Sequence, residues 1–303
     1  MKILVVGAGG VGGYFGGRLL EKGEDVTFLV RPKRYEQLER HGLHIESIHG
    51  SFSCTPKLIT KDSQSETFDL ILFSTKSYHL NEAMEDIKPF VGKNTTILPL
   101  LNGIRHLEDL RQTFGEEKII GGLCFIETTL NHEGVIVQTS KDHHLKFGEL
   151  SGEKTARIEK ISKALSGTKA EINESTHILR DMWHKYLFIT TFSGVTSLFQ
   201  SPIGPIRETA FGLELVEDLL FECEAIMKKE GAPIDEQIVS KHLATLNKIE
   251  PTMKSSMQRD MEKQSFIEAD HLQGYLLKLS EKHDLHAPIL KIIYTNLKLY
   301  EKK

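Results

Sequence analysis

Short apolar runs alternate with amphipathic stretches along the first half of the chain, and long helical periods fill the second. Lys2–Val6 is an apolar run of strand length, Val11–Glu21 has helical spacing, and Asp25–Val30 reads as a second buried strand. Asp69–Ser74 and Thr96–Leu101 repeat the strand pattern, with helices expected near Leu80–Pro89 and Arg105–Phe114; Lys118–Leu123 extends the series. Such alternation predicts right-handed crossovers and a mostly parallel, doubly wound sheet. Two segments break it and predict antiparallel additions: His44–Leu58, turning at Gly50-Ser51, and Phe125–Lys146, turning at His132-Glu133-Gly134.

Beyond Thr176 the apolar period becomes helical near Thr176–Phe199, Ile206–Glu230, Asp235–Lys248, Pro251–His283 and Pro288–Glu301. Pro202-Ile203-Gly204-Pro205 and Gly231-Ala232-Pro233 punctuate these helices. The expected fold class is therefore α/β, with a dinucleotide-binding sheet domain over residues 1–172 and an all-α substrate and dimerisation domain over residues 173–303. No long Pro/Gly/Ser linker separates the halves, so the two domains are expected to pack closely.

Composition narrows the class. The chain has 303 residues with 38 Lys+Arg against 42 Asp+Glu, a net charge of −4 that offers no general attraction to nucleic acid or anionic lipid. Hydrophobic residues at 39% supply a core and argue against disorder. No apolar run reaches the roughly 18 residues of a membrane helix. The first residues enter a strand with no basic and apolar leader before it, so no signal peptide is expected. Three cysteines without a C-x-x-C pair fit a reducing, cytoplasmic setting and disfavour disulfides or structural zinc. Fourteen histidines include no H-E-x-x-H, so no metal site is expected. The absence of G-x-S-x-G leaves a hydrolase reading without a nucleophile.

The chemistry-bearing residues follow the strands. Gly7-Ala8-Gly9-Gly10-Val11-Gly12 lies between the first strand and the first helix, the context in which G-x-G-x-x-G binds a dinucleotide. Gly7 permits the turn, Gly9 lets backbone approach a pyrophosphate, and Gly12 lets the helix pack on the strand. The helix start then offers free N–H groups and a positive dipole end. Strand two is followed by Arg31-Pro32-Lys33-Arg34, where NAD enzymes usually carry a carboxylate. A cationic turn there suits the 2′-phosphate of NADP instead. Lys76 and Asn102-Gly103 end later strands and are expected to face the cofactor crevice. In the helical half, Lys185 interrupts the apolar stretch Trp183–Ile189, and Glu268 sits within an apolar pattern beyond Ser255-Ser256-Met257. Taken singly, the last two read as surface charges rather than as catalysts.

As an ordered set, these residues resemble the ketopantoate reductase (2-dehydropantoate 2-reductase) family over nearly the whole chain. The resemblance implies a Rossmann domain that binds NADPH through Gly7, Gly9, Gly10, Val11, Gly12, Arg31, Lys76 and Asn102. It also implies a helical domain that closes over a 2-oxo acid, with a homodimer allowed. Lys185 is then the catalytic lysine and Glu268 its acidic partner, while Asn102, Ser256 and Ser193 belong to the substrate pocket. The implied reaction is reduction of 2-dehydropantoate to pantoate, a step of pantothenate biosynthesis. The family pattern places Asn at three positions that are Ile189, Ser193 and Met253 in this chain. These differences point toward another 2-oxo acid as the alternative substrate. A non-catalytic NADP sensor on the same fold is a third expectation.

Overall fold

The computed structural model describes residues 1–302, and the chain divides into two compact units. Met1–Leu101 and His106–Leu179 form the first; Asn102–Arg105 and the chain from Arg180 onward form the second. The first unit opens with β1 (Lys2–Val6), α1 (Gly10–Lys22), β2 (Asp25–Leu29) and α2 (Pro32–His41). Next come β3 (Leu43–Ser47), β4 (Phe52–Cys54), β5 (Lys57–Ile59), β6 (Phe68–Phe73), α3 (Leu80–Ile87) and β7 (Val91–Pro99). The series ends with α4 (His106–Phe114), β8 (Gly121–Leu130), β9 (Ile136–Gly148), α5 (Ala156–Leu165) and β10 (Glu171–Glu174).

Five parallel strands in the order β5-β2-β1-β6-β7 form the main sheet. Val6 pairs with Leu29 on one side and Phe73 on the other, and Phe73 pairs with Pro99. The register therefore brings Gly7, Arg31 and Ser74–Lys76 to one carboxyl edge, where open α/β sheets bind ligands. The second sheet runs β10-β9-β3-β4, with β8 antiparallel to β9.

Helix α1 lies between the sheets because two of its faces are bare. A methyl on Gly16 would stand 2.7 Å from the Phe28 ring of the main sheet, and one on Gly17 would stand 2.5 Å from Ile45 of the second. The helix ends at Gly23, whose φ of +99° lets its N–H reach back to the last turn. Arg18 is fully buried, donating to Glu21 at 2.6 Å and to the Gly50 carbonyl at 2.6 Å.

The α/β class and both antiparallel additions agree with the sequence pattern, with local corrections. Lys118–Leu123 was expected to continue the parallel series; only an Ile97–Ile119 bridge does so, and the strand then turns antiparallel to β9 from Gly121. In His44–Leu58 only β3 and β4 pair antiparallel, because β5 leaves to extend the main sheet beside β2. The basic segment after β2 is a helix start: the Arg31 carbonyl accepts from Arg34 and Tyr35 N–H, and Pro32 occupies the first helical position.

The second unit is helical: α6 (Ile178–Phe199, its first two residues counted with the first unit), α7 (Ile203–Glu208), α8 (Gly212–Lys229) and α9 (Ile238–Lys248), then α10 (Ser256–Glu262), α11 (Tyr275–Lys282) and α12 (Pro288–Tyr300). Ile206–Glu230 is two helices, broken where Phe211 takes φ of +65°. Pro251–His283 is also broken. The Pro251 and Met253 carbonyls accept from Gly204 and Ile203 N–H, which withdraws them from any helix. The Ser255 side chain then caps α10 by accepting from Gln258 N–H at 3.1 Å. Before α11, Asp270–Gly274 forms a single π turn, closed by Gly274 N–H to the Ala269 carbonyl.

Candidate active site

At the carboxyl edge of the main sheet, Gly7 adopts φ of +93° and donates to the Leu29 carbonyl at 3.2 Å. Gly9 begins α1 with no side-chain cap, so the first N–H groups of the helix keep their donors for a ligand. A Cβ on Gly9 would meet nothing within 4 Å, which leaves open space over the loop. On Gly12 it would stand 2.1 Å from both the Gly7 carbonyl and Ser74 Oγ, so Gly12 seats helix on strand. Gly10 lies against Thr128, and Val11 is half-buried. Thr75 Oγ1, buried at the end of β6, has no hydrogen-bond partner. Free helix N–H groups, open space and this orphaned hydroxyl suit a dinucleotide diphosphate.

Arg31 projects from the start of α2 with its side chain half-exposed. Its guanidinium pairs with Glu82 at the start of α3 and lies 3.2 Å from His79 Nε2. Burial and the Arg31 charge hold His79 below its ordinary value, so the ring is neutral near pH 7 and accepts from Arg31. Arg34 instead ties the glycine loop to the β8–β9 turn. Its Nε donates to the Ala8 carbonyl at 3.1 Å and its Nη1 to the Gly134 carbonyl at 3.0 Å. Lys76 is half-buried and begins a short 3₁₀ turn over Ser77–His79.

The remaining sequence-derived residues lie in the second unit. Lys185 on α6 is 7% exposed and Glu268, just before the π turn, is 8% exposed. Opposite charges buried in one largely apolar unit are costly to keep without a use or a partner. Asn102 is half-buried, and its carbonyl faces His271 Nε2 of the π turn at 2.9 Å. Gly103, at φ of +82°, lets the chain pass against His271 and Leu272. Tyr186 is fully buried and donates to the Leu272 carbonyl at 2.6 Å, fixing α6 to the same turn. Burial raises the Tyr186 hydroxyl well above its ordinary pKa, so it stays a donor.

Ser193 is engaged by the protein itself: its Oγ accepts from Gln273 Nε2 at 2.9 Å, and Gln273 also donates to the Thr190 carbonyl at 3.2 Å. Ser256 is exposed, whereas the neighbouring Ser255 is buried and bonded to Thr196 Oγ1 at 2.8 Å. Ile189 and Met253 are half-buried. His271, Gln273 and Glu82 escaped the sequence reading, because each acts on a residue far away in the chain. Among the described residues, no group of three or more His, Cys, Asp or Glu could hold a metal ion, and no helix is long and apolar enough to cross a membrane.

A parallel sheet with a glycine loop at its carboxyl edge, followed by a helical unit, defines a dinucleotide-dependent type of oxidoreductase fold. The chain matches the ketopantoate reductase PanE/ApbA family over residues 3–152 and the C-terminal region of that family over residues 177–301, and it belongs to this family. An uncharacterized oxidoreductase of Bacillus subtilis (strain 168) is 47% identical over 99% of each chain. The structure of a 2-dehydropantoate 2-reductase from Geobacter metallireducens GS-15 superposes with a TM-score of 0.89 at 27% identity, covering 99% of each chain. D-mandelate dehydrogenase, in a ternary structure with NADH and anilino(oxo)acetate, has a TM-score of 0.89 at 20% identity, covering 100% of this chain and 99% of its own; it shares the fold.

Proposed function

We propose that the protein is an NADPH-dependent reductase that converts a 2-oxo acid to the 2-hydroxy acid, with 2-dehydropantoate as the first substrate to test. The observation that carries this reading is the pair of buried opposite charges, Lys185 and Glu268, in the helical unit of a chain with a glycine-loop sheet. The first unit is assigned the cofactor and the second the substrate. A bound nicotinamide would supply the reducing electrons.

The protein's own residues supply position and field. As a 2-oxo group is reduced, negative charge builds on its oxygen; the Lys185 ammonium stabilises that charge and delivers the proton. Glu268 orients the lysine or a substrate hydroxyl. The backbone N–H groups of the glycine loop and Thr75 Oγ1 hold phosphate, while Arg31 is the side chain available to a 2′-phosphate.

A second reading, reduction of a more apolar 2-oxo acid, is favoured by Ile189 and Met253 and by the Ser193–Gln273 bond. Ile189 cannot hydrogen-bond, and Ser193 already serves as an acceptor. Two missing hydrogen bonds to charged groups would lower kcat/KM for 2-dehydropantoate by roughly 10²–10⁴. A panel of 2-oxo acids assayed with NADPH by absorbance separates the readings, with Lys185→Ala as the control. Lys185→Ala should lower kcat by roughly 10²–10⁴ with NADPH affinity nearly intact. No turnover of any 2-oxo acid by the wild type, or an unimpaired Lys185→Ala, would refute the proposal.

A further inference from the structure

A cavity of about 1150 Å³ opens in the first unit at the amino-terminal edge of the main sheet. It lies beside Asp69, at the start of β6, and Lys93–Thr96, early in β7. The glycine loop follows the far end of the five-residue strand β1, about 15 Å away at the strand rise per residue. None of the residues given a role above lines it. Its volume exceeds the roughly 1,000 Å³ at which ligand pockets usually end, because it is an open groove rather than an enclosed chamber, and it has room for a nucleotide-sized molecule.

The lining carries Lys22, Lys93, Lys118, Arg157, Lys160 and Lys163 against three carboxylates, Glu24, Asp69 and Glu117. This excess of positive charge stands out in a chain of net charge −4. Three of the cations are held in place. Lys118 Nζ donates to the Lys93 carbonyl at 3.1 Å, and Lys22 Nζ donates to the Ala164 carbonyl at 2.7 Å. Arg157 grips Glu149 through Nε and Nη2, each at 2.6 Å, and also donates to the Glu117 carbonyl.

The carboxylates are partly spent. Glu24 pairs with Lys22 at 2.8 Å, Glu117 lies 3.4 Å from Lys118, and Asp69 accepts from Lys2 N–H at 2.8 Å. Lys93, Lys160 and Lys163 form no ion pair among the described residues and are exposed at the rim. Residues 157, 160, 161 and 164 fall on one stripe of α5, so this helix turns a cationic face to the cavity. Lys22, Lys118 and Arg157 are each paired with a carboxylate and give the floor its shape, while the three mobile ammonium groups of Lys93, Lys160 and Lys163 carry the free charge and can close on an anion with little cost beyond their own ordering.

We propose that this basal cavity is a binding site for a small polyphosphate, the triphosphate group being the part recognised. The proposal is independent of the oxidoreductase reading, because it uses none of the residues of the carboxyl edge or the helical unit. The test is calorimetric titration of the full chain with sodium tripolyphosphate and, in a separate arm, with ATP, each at low and high sodium chloride. Wild type should bind at least one probe, with affinity falling as salt rises. A stronger response to ATP assigns a nucleotide; an equal response assigns the polyphosphate alone.

The triple variant Lys93→Gln, Lys160→Gln, Lys163→Gln should bind about tenfold or more weakly. The corresponding triple Lys→Arg variant should retain binding, which separates lost charge from lost fold. Absence of binding by wild type, or equal binding by the Gln variant, overturns the proposal; the latter result would move the phosphates to the glycine loop.

Discussion

At the scale of single residues, the environment of a side chain decides its chemistry more than its identity does. The place of Arg31, at the carboxyl edge just after β2, was legible in the sequence. The carboxylate facing it was not, since Glu82 lies 51 residues further on and no local spacing links the two. Under the proposed NADPH reading, a 2′-phosphate would compete with Glu82 for the guanidinium. Half-exposed ion pairs are worth about 0.2–1 kcal/mol, so Glu82→Gln should tighten NADPH binding by a factor of roughly 1.4 to 5. Arg31→Ala should weaken NADPH by about 10–100-fold while leaving NADH nearly unchanged. Fluorescence titration of both cofactors reads these changes without turnover, and an unaltered NADPH affinity in both variants would remove Arg31 from the phosphate site. The serine pair shows the reverse situation. The spacing Ser255-x-x-Gln258 is a helix-start signal that identifies Ser255 as the cap, and the structure buries it while Ser256 stays exposed.

Among elements, α1 separates the glycines that packing requires from those that face open space. The motif was legible because strand, turn and helix follow in the required order. The helix's burial between two sheets was not, because the partners Ile45 and Ile136 come from strands whose pairing is set far along the chain. Gly12→Ala forces a methyl to 2.1 Å from a backbone carbonyl that cannot move without breaking the β1–α1 turn. Its cost should be about 3 kcal/mol or more, read as a lowered urea midpoint. Gly9→Ala meets no atom within 4 Å and keeps an extended φ of −88°, so it should cost at most about 1 kcal/mol as a poorer helix cap. The same methyl would occupy the space assigned to the diphosphate and should weaken dinucleotide binding. A Gly9→Ala protein that is stable and binds NADPH as wild type does would end that assignment. The broken helices have a similar origin. Apolar periodicity ran straight through Phe211 and through residues 263–269, but a left-handed residue interrupts each, Phe211 at φ of +65° and Gln264 at φ of +54°.

For the whole molecule, the consequence most open to measurement is its response to acid. Burial is the leading cause that lowers the pKa of His143 in the first unit and of His184 and His242 in the second. His242 is the extreme case, taken from 6.5 to about 4. Its Nε2–H donates to the His184 carbonyl at 2.8 Å, and the Phe188 ring lies 5.4 Å away. The titratable groups acting on it are His184 and Lys241, both of which oppose its protonation, and Lys241 is itself paired with Asp235 at 3.1 Å. Between about pH 4 and pH 6.5 the unfolded chain holds a proton at this position that the folded chain does not. Stability is therefore full above pH 6.5 and falls as the pH drops toward 4. The loss assignable to His242 is about 2–3 kcal/mol, allowing for its partial exposure. His242→Gln keeps a donor for the His184 carbonyl and removes the titration. Urea unfolding at pH 7 and pH 5 should show the variant less stable than or equal to wild type at the higher pH, with the gap closing or reversing at the lower. A gap that stays constant between the two would mean that His242 titrates alike in the folded and unfolded chain, and that acid sensitivity arises elsewhere.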